Sequence, residues 1–184
     1  LVPLRTADPA AQEKLERQEP RAAQTARYVR DFAPAPVFDG TDVRYYPSGE
    51  AMFPDMLEAL ESARRSIYVE SFIIGMGEMW GRIHEILRRK AREGVDVRVI
   101  YDDAGCLSLL PHNYDETLRG EGIKAFSFNR FVPLLNLVMD NRDHRKIMVV
   151  DGAVAFTGGV NLADGYINKL GRFGFWKDSG GPLG

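Results

Sequence analysis

An α/β fold is the class this sequence predicts, and three observations carry it. β-branched and aromatic runs alternate with amphipathic stretches at helical spacing, in the order βαβαβ from about residue 66. The 184 residues suffice for one core of ordinary size. A content of 45% hydrophobic and 27% charged residues is that of a globular protein, not a disordered tail. The expected architecture is a sandwich of helices around a mixed, largely parallel and largely buried sheet.

The elements follow in order. Residues 1 to 35 are polar, rich in alanine and mixed charge, and read as a helical lead-in broken at Pro20 and ending in a Pro-rich connector. The globular domain is expected over 36–184. Val43 to Tyr46 is a short strand candidate. Met52, Phe53, Met56, Leu57 and Leu60 recur at helical spacing, with Pro54 tolerable in a first turn. SIYVESFII (66–74) predicts a strand, Glu78 to Arg92 a helix with Trp80, Ile83, Ile86 and Leu87 inward, and VDVRVIY (95–101) a second strand. A short helix is expected at Tyr114–Arg119 and a strand at Ile123–Phe128. His144–Val150 and Ala153–Thr157 flank Asp151-Gly152 as a hairpin. Asn161–Ile167 reads as a further helical segment.

Composition excludes some functions. Twenty-four basic and 26 acidic side chains leave a net charge of −2, which argues against a nucleic-acid partner held by global charge. The single cysteine, Cys106, rules out an internal disulfide and reads as a small structural thiol. No run approaches the ~20 apolar residues of a membrane span, so the chain itself is expected to be soluble.

The chemistry concentrates late in the chain. His144 and Lys146, two apart on an expected strand, would point to one face. Two potential cations side by side suit an anionic phosphoryl group better than a buried core. Asp151, Gly158, Gly159 and Asn161 complete the string His-x-Lys-x4-Asp-x6-Gly-Gly-x-Asn. Glycines there would let backbone N–H groups approach a phosphate, and Asn161 would add a polar contact. The competing reading is a strand edge carrying solvated charge, with Asp-Gly as a plain turn.

This string resembles the HKD signature of the phospholipase D superfamily. YVESFII, GEMWGRIHEIL, AREGVDVRVIYDDAGC, NRDHRKIMVVDG, AFTGGVNLADGYIN and GFWKD are similar to bacterial cardiolipin synthases over about Tyr28 to Asp178. The resemblance implies a phospholipase D-like α-β-α sandwich and phosphatidyl transfer between two phosphatidylglycerol molecules, with release of glycerol. It implies a phosphohistidine at His144, charge neutralisation by Lys146, a structural role for Asp151, and no metal or other cofactor. It also implies a second such motif facing the first. Neither His84 nor His112 has a lysine two positions on, so that half must come from further chain or a second subunit. The Gly-Gly-Pro-Leu-Gly ending suggests the first half of a longer enzyme. Its parent is expected at a bacterial cell membrane, with the catalytic domain on the cytoplasmic side and phospholipid as partner, and the isolated chain inactive. The alternatives are a homodimeric phosphodiesterase or nuclease with one motif per chain, and a non-catalytic pairing module.

Other candidates have bland readings beside them. Arg142 is a phosphate-binding candidate, preferred to Arg145, which would face away. Glu70 could orient a histidine, or sit on a solvent-facing strand. Asp102, with Asp103, could line the mouth of the cleft; a Mg²⁺ site would need a third carboxylate. The apolar stretch from Arg130 (RFVPLLNLVMD) reads equally as a buried loop or a lipid-contacting wall.

Overall fold

Strand pairing places the motif on two inner strands of a six-stranded sheet. The computed structural model describes residues 8–33, 35–130, 141–171 and 174–183. The chain divides into two compact units, Leu1–Asp42 and Val43–Gly184. The first contains α1 (Pro9–Gln18) and α2 (Pro20–Phe32), two helices where the sequence suggested one broken at Pro20. Each begins with proline, whose missing N–H is no loss in a first turn.

The second unit contains α3 (Gly49–Ser62), β1 (Ser66–Ser71), α4 (Glu78–Arg92), β2 (Asp96–Asp102), α5 (Asp103–Cys106), α6 (Tyr114–Gly120) and β3 (Lys124–Phe128). β4 (Lys146–Val150), β5 (Val154–Gly158), a 3₁₀ turn (Asp164–Ile167) and β6 (Gly180–Leu183) follow. The sheet order is β3-β2-β1-β4-β5-β6. β1 pairs in parallel with β2, and β2 with β3, while β1–β4, β4–β5 and β5–β6 are antiparallel. The sheet is mixed, with parallel pairing confined to one half.

Pro54 lies in the second turn of α3, not the first. It faces solvent, where water can satisfy the carbonyl that its missing N–H leaves unpaired. α4 has the expected bounds because its apolar residues recur at 3.6-residue spacing and Gly94 adopts positive φ just beyond it. Trp80, Ile83 and Leu87 are fully buried with Ile67, Val69, Val97, Val99 and Met148 of the sheet. The alternate residues Tyr68, Ile100 and Phe126 lie on the other face and are exposed. A full sandwich carries helices on both faces; the described helices of this unit cover one.

Two strands depart from expectation. Val43–Tyr46 forms isolated bridges instead of a strand: Tyr46 pairs with Gly180, and the Arg44 N–H donates to the Pro182 carbonyl at 3.4 Å. Gly180–Leu183, whose glycines and proline disfavour a strand, forms β6 between those bridges and β5. Asn161 precedes only a 3₁₀ turn.

Candidate active site

β4 runs antiparallel to β1, so its first residue lies level with the last residue of β1, Ser71 opposite Lys146. β2 ends at the same edge, with Asp102. The motif thus opens at the C-terminal edge of the parallel strands, where α/β folds commonly place chemistry.

His144 is not on the strand. β4 begins at Lys146, and His144 sits exposed in the irregular segment before it, so the expected two-residue alternation does not apply. The pair nevertheless converges. The His144 ring lies 4.6 Å from the Phe72 ring, centroid to centroid, and Lys146 Nζ lies 5.2 Å from the same ring. Lys146 Nζ also donates to the His144 carbonyl at 2.5 Å. Lys146 is only 8% exposed. Burial pushes its pKa below the usual lysine value, while the carboxylates of Asp178 and Asp143 oppose that shift.

Asp151 faces away from this chemistry. Its carboxylate accepts the backbone N–H groups of Arg64, Arg65 and Ser66 at 2.7–2.9 Å, and these bonds hold its pKa below the ordinary range. Asp151 and Gly152 both have positive φ in the turn between β4 and β5. Aspartate tolerates that conformation, and here it also ties the hairpin to the start of β1.

Gly158 and Gly159 meet a packing need in the structure. A Cβ on Gly158 would lie 2.4 Å from the Ser179 carbonyl oxygen, and one on Gly159 2.7 Å from Asp178 Oδ1. The Gly159 N–H donates to Ser179 at 3.0 Å and is thus already committed. What these glycines admit is the 178–180 segment, which brings Asp178 toward Lys146. Asp178 also accepts from Trp176 Nε1 at 2.7 Å. Sequence reasoning gave Asp178 no role, although it closes the GFWKD phrase; nothing in its spacing from the motif announced the contact.

Asn161 is 3% exposed, and its Oδ1 accepts the Ile73 N–H at 2.9 Å. Its visible partners thus lie inside the fold. Arg142 is engaged at Asp102 (3.3 Å) and at the Asn129 carbonyl (3.0 Å), and so anchors the segment before the motif. Asp102, fully buried, also accepts from the Asp143 N–H and caps α5 through Gly105.

Glu70 does not meet His144 directly. It pairs with Arg145 at 2.7 Å and hydrogen-bonds Asp143, the two residues flanking His144. Burial, then the neighbouring Asp143 carboxylate, pushes Glu70 up to about 7, while Asp143 is held well below the carboxylate range, first by Arg145. Two carboxyls sharing one proton give this opposite pair of shifts. Arg145 also precedes β4, so strand alternation does not set its direction; its guanidinium pairs with Glu70 and Asp143.

The other histidines lie elsewhere. His84 pairs with Glu121 at 2.5 Å, and His112 lines a separate hollow with Asp103 and Arg130. The Cys106 thiol is buried and pushed up to about 12, as suits a structural role. Residues 131–140 of the apolar stretch lie outside the described residues. Among the described residues, no group of three His, Cys, Asp or Glu is placed to hold a metal ion, and no helix is long and apolar enough to cross a membrane.

One strand edge thus gathers an exposed imidazole, a buried ammonium and flanking carboxylates. The chain belongs to the family described as "Cardiolipin synthase, PLD-like domain", whose sequence model matches residues 56–170. An uncharacterized protein of Streptococcus mutans is 45% identical over 166 residues, 90% of this chain and 36% of its own length. Cardiolipin synthases of Geobacillus sp. and Alkalihalophilus pseudofirmus are 37% and 34% identical, over 79% and 83% of this chain. The chain spans about a third of the length of these relatives. In fold it is similar to phosphatidylserine synthase of Haemophilus influenzae (TM-score 0.59, 18% identity, 77% of this chain and 32% of that one). It is also similar to Nuc, a phospholipase D family member of Salmonella typhimurium (TM-score 0.53, 20% identity, 78% and 82%).

Proposed function

We propose that this chain supplies one half of the active site of a cardiolipin-synthase-like phosphatidyltransferase. The observation that carries the reading is the convergence of His144 and Lys146 on one ring at the sheet edge, in a chain of this family. The His144 imidazole attacks the phosphorus of phosphatidylglycerol. An N–P bond forms, the P–O bond to the head-group glycerol breaks, and glycerol leaves with a proton from the facing half-site. The hydroxyl of a second phosphatidylglycerol then attacks phosphorus, losing its proton to that same half-site, and the N–P bond breaks to give cardiolipin. Lys146 offsets the charge that gathers on the non-bridging oxygens. Asp151 holds the hairpin and touches no substrate.

A second His-x-Lys-x4-Asp motif, in further chain or another subunit, completes the site. The isolated chain is expected to lack transferase activity. The complete enzyme is expected to work at a bacterial membrane surface from the cytoplasmic side, on phospholipid and without nucleic acid. In the full-length gene product, His144→Ala is expected to lower cardiolipin formation from phosphatidylglycerol roughly a thousandfold or more. Undiminished synthesis by that variant would sink the assignment.

One observation favours a second reading. Nuc, to which the fold is similar, is of comparable length, since the match covers 82% of it. A homodimeric phosphodiesterase would therefore need only this chain, and a dimer that cleaves DNA or phospholipid diesters unaided would select it.

A further inference from the structure

We propose that Phe72 is a positioning residue: its ring holds the His144 imidazole and the Lys146 ammonium in register, and Asn161 acts on both through it. This rests on the reading of His144 as the reacting group. His144 is exposed and outside any strand, so its backbone alone leaves its rotamer open. The Phe72 ring lies against it at 4.6 Å, tilted by 50°, and faces Lys146 Nζ at 5.2 Å. The ring is a neutral surface that attracts an ammonium and packs against an imidazole. It can thus hold both groups near one anion without needing a carboxylate between them.

The ring's own place is fixed from several sides. Ser71 Oγ donates to the Ile73 carbonyl at 2.8 Å, closing the turn in which Phe72 sits. Asn161 Oδ1 takes the Ile73 N–H. Cys106 Sγ takes the Ile74 N–H at 3.1 Å and lies 3.6 Å from the Phe72 carbonyl oxygen as its donor. A Cβ on Gly105 would stand 2.2 Å from that oxygen and 3.1 Å from the ring, so only glycine lets α5 approach. Phe72 is itself only half-buried. These bonds fix the backbone on either side of Phe72, and through it they link Asn161, at the far end of the motif, back to His144.

Aromatic ¹³C–¹H NMR of this chain tests the inference, with the His144 ring signals assigned by their loss in His144→Ala. The wild type is expected to show His144 ring protons displaced upfield, with NOEs to the Phe72 ring. Phe72→Leu is expected to abolish both, Phe72→Tyr to keep them, and Asn161→Ala to weaken the NOEs where Asn161→Asp does not. His144 signals unmoved in a folded Phe72→Leu, or lost equally in Phe72→Tyr, overturn the proposal. Should Phe72→Leu not fold, absence of the wild-type NOE does so. No substrate enters the experiment. An intact signature beside an active His144→Ala enzyme would therefore overturn the reaction and leave the positioning role standing.

Discussion

Glu70 and Asp143 hold opposite protonation habits within one cluster, and the consequence is a pH dependence with a definite sign. Glu70 is raised to about 7 by burial and by Asp143. A carboxyl raised above its unfolded value contributes stability below that unfolded value, and the contribution is lost as pH rises through the folded pKa. Stability should therefore fall between about pH 4.5 and 7 by on the order of 1 kcal/mol, after allowance for partial solvent screening. Glu70→Gln, which stays neutral, should flatten that slope; denaturant unfolding at pH 5, 6 and 8 measures it. An unchanged slope would mean that the two carboxyls do not share a proton. The motif residues were legible at this scale because their types and spacing are local. The partners of Gly158, Gly159, Asn161 and Arg142 within the fold were not, because each is remote in sequence: Ser179, Asp178, Ile73 and Asp102.

Among the elements, α4 and the β4–β5 hairpin were readable because periodicity and the Asp-Gly turn are local signals. β6 was not, since its strand character comes from neighbours on both sides and not from Gly-Gly-Pro-Leu. The start of β4 moved from His144 to Lys146 because β1 ends opposite Lys146, leaving His144 nothing to pair with. The hairpin depends on one carboxylate. Asp151→Ala removes the acceptor of three backbone N–H groups and should cost about 2 kcal/mol or more. Thermal or denaturant unfolding checks the figure. A loss within about 0.5 kcal/mol, the ordinary range of a surface substitution, would show that the β1 start holds itself.

At the scale of the whole molecule, topology does what the motif cannot do alone. Antiparallel insertion of β4 beside β1 brings His144 to the edge where β1 and β2 end; Phe72 lies against it there, and Asp102 takes the N–H of the adjoining Asp143. Tyr68, Ile100 and Phe126 stand exposed on the sheet face opposite the core. A net charge of −2 remains consistent with local rather than global recognition of phosphate. The central claim is a covalent bond between His144 and a phosphatidyl group. Its most direct measurement is an alkaline quench of the full-length gene product turning over phosphatidylglycerol labelled in its phosphate, followed by mapping of the bound label. Acid-labile label is expected on the peptide carrying His144, absent from His144→Ala. Label on another residue, or turnover with no protein-bound phosphate at any time, would contradict it.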